Sequence, residues 1–394
     1  MNKENYKSYT FDNIVLFART GLNPRDNFKL GQGNNKYITI KNIQNNELII
    51  DKNTDVVDDE AIKLIHKRSQ IKKGDILFAS IGRIGDMYII QEEPKGWDIN
   101  ESVFAFTLNT KIVEQKYFYY IFKNQTTIDY LKNNSSGSTF KSIKMNQLKR
   151  MSFLLPSLEK QTKISQRLDK CNRIINHYKS IIEKYDMLIK SRFIEMFENS
   201  PTRIVDEVCE SFKIGPFGSA LHKNEMSTQG YAFVLGTDNA VKNEFAYKEI
   251  RYINQEKYNE LSKYKVEPKE IIMSMMGTVG RVALIPENIG TAIISSHLCI
   301  LRINPKIMHP EFFHLAFSKD DEIQFQIDGI HNGSIMKGFN LKIVKAFKIK
   351  CPDIQEQNNF ISFAKQIDKS KFEIWLTLKN YGIIGKRVFL YDQF

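Results

Sequence analysis

The feature that most restricts the fold of this chain is a long run of coiled-coil periodicity between Pro156 and Phe197. Its apolar positions advance by alternating steps of four and three residues, the spacing of a helix that packs along another helix. Neither Gly nor Pro interrupts the run, so the sequence predicts one helix of about 40 residues, roughly 60 Å long. The seam positions are Ile164, Leu168, Cys171, Ile175, Tyr178, Ile182, Tyr185 and Ile189.

A second apolar stripe runs beside this seam and consists of Ile174, Ile181 and Leu188. The apolar face is therefore wider than a contact between two helices requires. We expect the second stripe to contact a third element.

The partner of this helix is predicted within the same chain, because the pattern recurs 196 residues later. The entry motif also recurs: Pro156–Gln161 reads Pro-Ser-Leu-Glu-Lys-Gln, and Pro352–Gln357 reads Pro-Asp-Ile-Gln-Glu-Gln. The chain is therefore an internal duplication. The shifted seam positions are Phe360, Ala364, Ile367, Lys371, Ile374, Leu378, Tyr381 and Gly385, of which Lys371 and Gly385 break the apolar pattern.

The duplication also divides the 394 residues, which are too many for one ordinary hydrophobic core. It gives a globular unit at residues 1–150, a helical segment at 151–198, a second globular unit at 199–350 and a second helical segment at 351–394. Both globular units show strand and helix patterns in the same order. The predicted fold class is α+β, with two similar domains separated by two long antiparallel coiled-coil helices in a pseudo-two-fold duplication.

The net charge of +12 and the pI near 9.2 favour an anionic partner. Nucleic acid is favoured over a membrane surface, because no cationic amphipathic anchor is evident in the sequence. The alternative is a lysine-rich protein that binds no polyanion.

The four cysteines, Cys171, Cys209, Cys299 and Cys351, are far apart and form no paired metal-ligand motif. They are typical of reduced thiols in a cytoplasmic protein. Residues 1–13 are polar, and the chain has no run of about 18 apolar residues that would span a bilayer. We therefore expect a soluble, intracellular protein.

Two Gly-x-x-Gly turns, Gly82–Gly85 and Gly277–Gly280, each follow an apolar strand. Such a turn can bring backbone N–H groups close to phosphates, because its glycines have no side chains. The alternative is a tight hairpin that needs positive φ angles. Arg83 and Arg281 lie in or just after these turns and favour nucleic-acid binding.

Other candidate DNA contacts lie on polar loops and glycine turns, where hydroxyl groups and cations suit phosphate binding. The polar loop of the first copy supplies Ser138, Thr139, Lys141 and Lys144, and the corresponding loop of the second supplies Ser334 and Lys337. Arg25 and Ser219 follow the glycine turns that begin at Gly21 and Gly215. For any one of these residues, an exposed loop with no ligand is the alternative.

No catalytic or metal-binding motif is found in the sequence. It contains no P-loop, complete dinucleotide-binding fingerprint or nucleophile elbow. His309 and His314 are five residues apart and are expected to cap or pack a helix. Asp75 and Glu270 precede the glycine turns, but the carboxylates of a metal-dependent nuclease are not matched in both copies. We predict no catalytic residue, no metal site and no bound cofactor.

Taken together, these motifs resemble the DNA-specificity (S) subunit of Type I restriction-modification systems along essentially the whole chain. The resemblance is carried by the two Pro-x-Leu/Ile-x-x-Gln helix entries, by Gly21–Arg25 and Gly215–Ser219, and by the duplicated strand and glycine turn. Each motif is short, but their order and duplication are specific.

The resemblance implies a target-recognition domain at residues 1–150 and another at 199–350, each reading one half of an asymmetric, bipartite duplex DNA site. It also implies that the two helices dock two adenine methyltransferase (M) subunits, joined by endonuclease/translocase (R) subunits. The stripe of Ile174, Ile181 and Leu188 is the predicted docking surface. S-adenosylmethionine, ATP and Mg²⁺ would then bind only to those partners.

The second helix departs from the pattern at Lys371 and, near its end, at Gly382 and Gly385. Helical glycine costs about 1 kcal/mol relative to alanine, so we expect this helix to fray or bend after residue 380. Two other functional classes are compatible with the residues. One is a coiled-coil adaptor whose globular units bind protein, and the other is an RNA-binding protein or nuclease that uses the glycine turns.

Overall fold

The computed structural model describes residues 6–44, 47–138, 140–217, 220–332 and 338–380. The chain divides into two compact units, Met1–Arg173 and Ile174–Phe394, and each is described by itself. Several residues of the sequence predictions lie outside the described residues: Thr139, Ser219, Ser334, Lys337, Tyr381, Gly382 and Gly385.

The first unit contains eleven described strands in four small sheets. A four-stranded sheet has the order β2-β10-β7-β8, and a three-stranded sheet has the order β6-β3-β9. The remaining pairs are β1-β11 and β4-β5. The strands are β1 (Lys7–Thr10), β2 (Val15–Thr20), β3 (Asn35–Ile38), β4 (Ile43–Gln44), β5 (Glu47–Leu48), β6 (Val56–Val57), β7 (Ile76–Ala79), β8 (Met87–Ile89), β9 (Trp97–Ile99), β10 (Val103–Leu108) and β11 (Ser152–Leu155).

Strand β7 has an uninterrupted apolar sequence because both of its faces are buried. Ile76 and Phe78 enter the larger core of the unit, whereas Leu77 enters a second core on the other face of the sheet. The helices of this unit are α1 (Phe11–Ile14), α2 (Asp59–Ser69), α3 (Gln115–Phe122), α4 (Gln125–Asn133) and α5 (Met145–Lys149).

The predicted long helix is present as α6 (Leu158–Phe197), which spans 40 residues without a break. It begins later than the segment that we predicted from residue 151. Residues Ser152–Leu155 alternate between exposed and buried side chains and form β11, which pairs with β1. In the first unit, α6 lies against α3: Lys116 contacts Asp169 at 2.5 Å, and the Tyr120 hydroxyl donates to Asp169 at 2.7 Å.

The second unit repeats the first, strand for strand. Its sheets have the orders β13-β21-β18-β19, β17-β14-β20, β12-β22 and β15-β16. The strands are β12 (Thr202–Ile204), β13 (Cys209–Ile214), β14 (Ala232–Leu235), β15 (Ala240–Val241), β16 (Glu244–Phe245), β17 (Tyr252–Ile253), β18 (Ile271–Ser274), β19 (Val282–Leu284), β20 (Ala292–Ile294), β21 (Leu298–Ile303) and β22 (Lys348–Lys350). The predicted internal duplication and α+β class are confirmed.

The helices of the second unit are α7 (Val205–Val208), α8 (Gln255–Leu261), α9 (Pro310–Lys319), α10 (Asp321–Asn332), α11 (Leu341–Ala346) and α12 (Ile354–Asn380). Helix α12 packs antiparallel to the last part of α6. Phe360, near the start of α12, meets Phe197 at 5.4 Å between ring centroids, and Lys371 further along meets Asp186 of α6 at 2.5 Å. Among the described residues, no helix is both long and apolar enough to cross a membrane.

Candidate functional site

The two glycine turns are hairpin turns whose glycines have left-handed backbone conformations. Gly82 and Gly85 connect β7 to β8 with φ angles of 70° and 92°. Gly277 and Gly280 connect β18 to β19 with φ angles of 77° and 75°. The requirement for positive φ, which was one of the two interpretations of the motif, is therefore met in both copies.

The two glycines of each turn have different surroundings. A Cβ atom on Gly85 would lie 3.1 Å from the Leu131 side chain of α4, and one on Gly280 would lie 2.8 Å from Ile327 of α10. A Cβ atom on Gly277 would meet no atom within 4 Å. The second glycine of each turn thus packs against a helix. The first glycine faces open space in the second turn, whereas a Cβ atom on Gly82 would lie 3.7 Å from the Ile40 side chain.

The structure brings the first glycine turn together with the polar loop of its unit, and the second glycine turn together with the residues that follow its polar loop. The backbone N–H of Gly82 donates to the carbonyl of Lys141 at 2.9 Å, and that of Ile143 donates to Ser80 at 2.9 Å. In the second unit, the N–H of Phe339 donates to Met275 at 2.7 Å. In the first unit, the two loop classes that the sequence indicated separately therefore form one surface, residues 80–85 with 137–138 and 140–144. In the second unit, residues 275–281 lie against residues 338–339, which follow the polar loop. Both surfaces are here called the turn-loop surface.

The candidate DNA-contact residues that the structure describes differ in their exposure and in their hydrogen-bond partners. Arg83 is half exposed, and its guanidinium donates to the carbonyl of Ile43 at 2.9 Å and pairs with Asp86 at 3.3 Å. Arg281 is partly buried and lines an open cleft of about 480 Å³ beside the second glycine turn. Exposed side chains are found at Arg25, Ser138, Lys141 and Lys144.

The predicted seam residues are buried most fully in the second unit. Ile189, Phe360, Ile367 and Leu378 are buried there. Partly buried seam positions are Ile164, Ile175, Tyr178, Ile182, Tyr185 and Ile374, whereas Leu168 is 37% exposed.

The two helices also meet in a buried aromatic contact that was not predicted from the sequence. Phe193 and Phe197 lie 5.5 and 5.4 Å from Phe360 and are fully buried with it. Both follow Ile189 by steps of four residues, whereas continuing the alternating four-three spacing from Ile189 gives Arg192 and Met196, so the seam pattern alone does not identify them.

Lys371 occupies a seam position without leaving its charge unpaired. Its ammonium group contacts Asp186 of α6 at 2.5 Å and Asp368 of its own helix at 3.1 Å. Burial lowers the pKa of Lys371, but the two carboxylates outweigh burial and hold this pKa above its usual value. The predicted break in the seam is therefore an ion pair between the helices, in which Lys371 is buried and Asp186 is half exposed.

The predicted docking stripe is largely accessible on the described surface. Ile174 is 44% exposed and Leu188 is 47% exposed, while Ile181 is partly buried. All three belong to the part of α6 that lies in the second unit. Docking of a partner here remains a prediction.

The carboxylates that precede the glycine turns in sequence lie at the other ends of strands β7 and β18 and are engaged in ion pairs with arginine. Asp75 pairs with Arg19 at 2.8 Å and accepts the Thr107 hydroxyl at 2.6 Å. Glu270 pairs with Arg302 at 2.6 Å. Buried acids need such partners, so these pairs give both residues a structural role.

The two histidines that we considered as metal ligands have different surroundings. His309 occupies the N-cap position of α9 without a side-chain cap hydrogen bond, and its Nε2 is buried without a hydrogen-bond partner among the described residues. The ring of His314 lies 2.6 Å from the carbonyl oxygen of Asn243. Within the described ranges, no group of three or more His, Cys, Asp or Glu side chains could hold a metal ion. The four cysteines are free thiols, and burial raises the pKa of Cys299 to about 12.

A glutamine of the entry motif fixes the first globular fold to its long helix. The side-chain carbonyl of Gln161, from the entry motif, accepts the backbone N–H of Glu114 at 2.8 Å. Its amide group donates to the carbonyls of Ile112 and Pro156, both at 2.9 Å. The motif marked this glutamine, but two of its three partners, Glu114 and Ile112, lie 47 and 49 residues away in sequence.

Comparison with known proteins agrees with this duplicated architecture. A family model described as the Type I restriction modification DNA specificity domain matches residues 3–184 and 202–380. The chain is 33% identical over 183 residues to the Type I restriction enzyme MjaIX specificity subunit of Methanocaldococcus jannaschii, covering 45% of this chain and 41% of that protein. It is 21% identical over 301 residues to the EcoBI specificity subunit of Escherichia coli, covering 68% of this chain and 62% of that protein.

Solved structures show the same fold at low sequence identity. The S subunit of a Type I restriction-modification system from M. genitalium matches with a TM-score of 0.50 and 15% identity, over 96% of this chain and 93% of that chain. A chain from a structure on complex assembly and conformational transition of the type I R-M system matches with a TM-score of 0.57 and 12% identity, with the same coverage. The matches span less than two thirds of both curated relatives, but the two segments of the family match cover most of this chain. The chain belongs to the Type I restriction-modification DNA specificity family.

Proposed function

We propose that this chain is a non-catalytic subunit that recognises an asymmetric, two-part site in duplex DNA, with one half read by each unit. The observation that carries the proposal is the turn-loop surface, which recurs in both units with different residues. One unit presents Arg83 and Lys141 there, and the other presents Arg281. Because the fold recurs and the side chains differ, each unit is suited to a different half-site.

The exposed cations of the turn-loop surface suit contacts to phosphate. Lys141 and Lys144 are exposed in the first unit, and Arg25 is exposed on a separate glycine turn. Phosphate contacts fix the position of a protein on DNA, while base contacts supply sequence specificity. Two half-sites about one helical turn apart present the same groove face, so two linked units can bind one duplex.

The proposal assigns chemistry to partner subunits. Two adenine methyltransferase (M) subunits and the endonuclease/translocase (R) subunits would bind S-adenosylmethionine, ATP and Mg²⁺, and this chain would bind no cofactor. The stripe of Ile174, Ile181 and Leu188 would dock the methyltransferases through its exposed apolar side chains. The complex would act in the cytoplasm, where its DNA substrate lies, without a membrane partner.

The test of half-site reading is a domain exchange followed by methylome sequencing. Residues 1–150 are replaced by the equivalent unit of a related chain, and cells express the hybrid with its methyltransferase. One half of the methylated motif should change while the other half is retained. A change in both halves, or in neither, would contradict the assignment of one half-site to each unit.

Purified complexes provide a second test. Binding to a duplex that carries the methylated motif should weaken steeply as salt rises, because each phosphate contact releases counterions. Affinity that is independent of salt, or equal for a scrambled duplex, would favour a protein-binding adaptor.

Docking is tested with Leu188→Glu, which places a charge on the exposed stripe. The variant should lose its methyltransferase in size-exclusion chromatography while keeping its unfolding temperature, since Leu188 is already half exposed. Leu154→Glu, at an exposed leucine of strand β11, is the matched control and should still bind. Retention of the partner by Leu188→Glu would remove this stripe from the interface.

A further inference from the structure

Phe140 is an exposed aromatic residue on a tightly closed loop of the first unit. Its side chain is 72% exposed. The loop is closed by reciprocal backbone hydrogen bonds between Ser136 and Ser142, at 2.9 and 2.8 Å. Gly137 has a φ angle of 119°, and a Cβ atom there would lie 2.2 Å from the Phe140 carbonyl oxygen. The backbone beneath the ring is therefore closely packed.

This loop is also attached to the chain that leads from β7 into the glycine turn. The carbonyl of Lys141, the next residue, accepts the N–H of Gly82 at 2.9 Å, and the N–H of Ile143 donates to Ser80 at 2.9 Å. Phe140 thus projects from the turn-loop surface on a backbone held by β7. Because this loop is already ordered, binding a ligand through Phe140 costs little conformational entropy.

The chain around Phe140 is basic and contains no acid. Residues 130–158 include no Asp or Glu, and their basic residues are Lys132, Lys141, Lys144, Lys149 and Arg150. Lys141 and Lys144 are exposed, and neither forms an ion pair among the described residues. An isolated exposed Phe is ordinary, but this one lies just before two exposed lysines in the sequence.

This combination of groups matches DNA. Phosphates would neutralise the lysines, and the base stack is the apolar surface that DNA offers to an inserted ring. We propose that Phe140 inserts its ring at a base-pair step of the half-site bound by the first unit, while Lys141 and Lys144 contact neighbouring phosphates. This inference rests on the proposed function.

Insertion has a mechanical consequence for the DNA. An apolar wedge partly unstacks one step and bends the duplex, and the bend allows more protein surface to reach the DNA. The cost of the bend depends on the sequence deformed, so Phe140 contributes specificity without hydrogen bonds to bases. The step that it enters is expected to be a flexible pyrimidine–purine step.

The experiment uses the complex of the full chain with its methyltransferase. The probe is a duplex carrying the motif methylated in cells, with 2-aminopurine placed in turn at each step of the half-site that changes in the domain exchange. Binding of the wild-type complex should raise the 2-aminopurine fluorescence when the probe lies at one particular base-pair step. Phe140→Ala should abolish this rise and weaken binding by about 5- to 100-fold, the usual effect of losing one base–aromatic stack.

Three further variants distinguish the contribution of the aromatic ring to DNA binding from the contributions of charge and of folding. Phe140→Trp should retain both the fluorescence rise and the affinity. Lys141→Ala should reduce the slope of log affinity against log salt by about 1, whereas Phe140→Ala should leave the slope unchanged. Phe325→Ala removes a 75% exposed Phe from α10 of the second unit and should change neither fluorescence nor affinity.

Failure of this inference is distinguishable from failure of the proposed function. Wild-type complex that does not prefer the motif duplex over a scrambled one would reject the proposed function. Wild-type preference for the motif, with unchanged binding and fluorescence for Phe140→Ala, would reject insertion alone. Equal unfolding temperatures for wild type and Phe140→Ala are expected, and Phe140→Leu provides the same comparison with a smaller loss of apolar volume.

Discussion

The side-chain carbonyl of Gln357 accepts the backbone N–H of His309 at 2.9 Å, which fixes the first turn of α12 to the start of α9. The amide group of Gln357 donates to the carbonyls of Ile307 and Pro352, at 3.1 and 2.9 Å. Gln161 makes the same three contacts in the first unit. The repeated glutamine of the entry motif is therefore the residue that joins each globular fold to a long helix.

Replacing this glutamine should destabilise the protein. Gln357→Leu keeps the side chain buried but leaves the N–H of His309 and two carbonyls without their partner, at about 1–3 kcal/mol for a buried unpaired group. Urea unfolding measures the loss. Gln355→Leu, at an exposed glutamine on the same turn, should stay within about 0.5 kcal/mol of wild type. Equal effects of the two variants would show that the contacts contribute nothing.

The aromatic contact between the helices should be a major source of stability. Phe360 packs against Phe193 and Phe197 with its ring fully buried, so Phe360→Ala should cost about 3–5 kcal/mol. Chemical denaturation followed by circular dichroism measures this loss. The same change at Phe325, which is exposed, is the control and should be almost neutral. A small effect at Phe360 would mean that α12 does not depend on this contact.

The two glycines of the second hairpin should tolerate alanine differently. Both have positive φ, so alanine costs about 1 kcal/mol or more at either position. Gly280→Ala adds a clash, because its Cβ would lie 2.8 Å from Ile327, whereas Gly277→Ala meets open space. The larger loss of unfolding temperature should therefore occur in Gly280→Ala. The reverse order would contradict the packing of the turn against α10.

Local sequence patterns predicted the long helices and the glycine turns, because each feature is encoded within a few consecutive turns or strands. The duplication was evident because the same patterns recur 196 residues later. Contacts between distant residues could not be read in this way. Lys371 looked like a break in the seam, and its partner Asp186 lies 185 residues earlier. Gly82 and Lys141 were identified separately, and only the tertiary fold shows that they share a hydrogen bond. Sequence patterns thus predicted the secondary-structure elements, but the candidate site is formed by tertiary contacts that these patterns do not encode.

The pH dependence of stability should include a contribution from His314. Burial lowers the pKa of its ring, although the carbonyl of Asn243 acts in the opposite direction. The folded protein therefore binds this proton less readily than the unfolded chain, whose histidine pKa is about 6.5. The stability contribution is complete above that pH and is lost as the pH falls below it.

Urea unfolding of wild type and His314→Gln at pH 7.5 and 5.5 tests this effect. Glutamine retains a donor for Asn243 but does not titrate, so the variant should lose less stability on acidification, by up to about 1.4 kcal/mol. His177→Gln, at an exposed histidine of α6, should follow wild type. If wild type and His314→Gln lose equal stability between the two pH values, His314 titrates alike in the folded and unfolded chain.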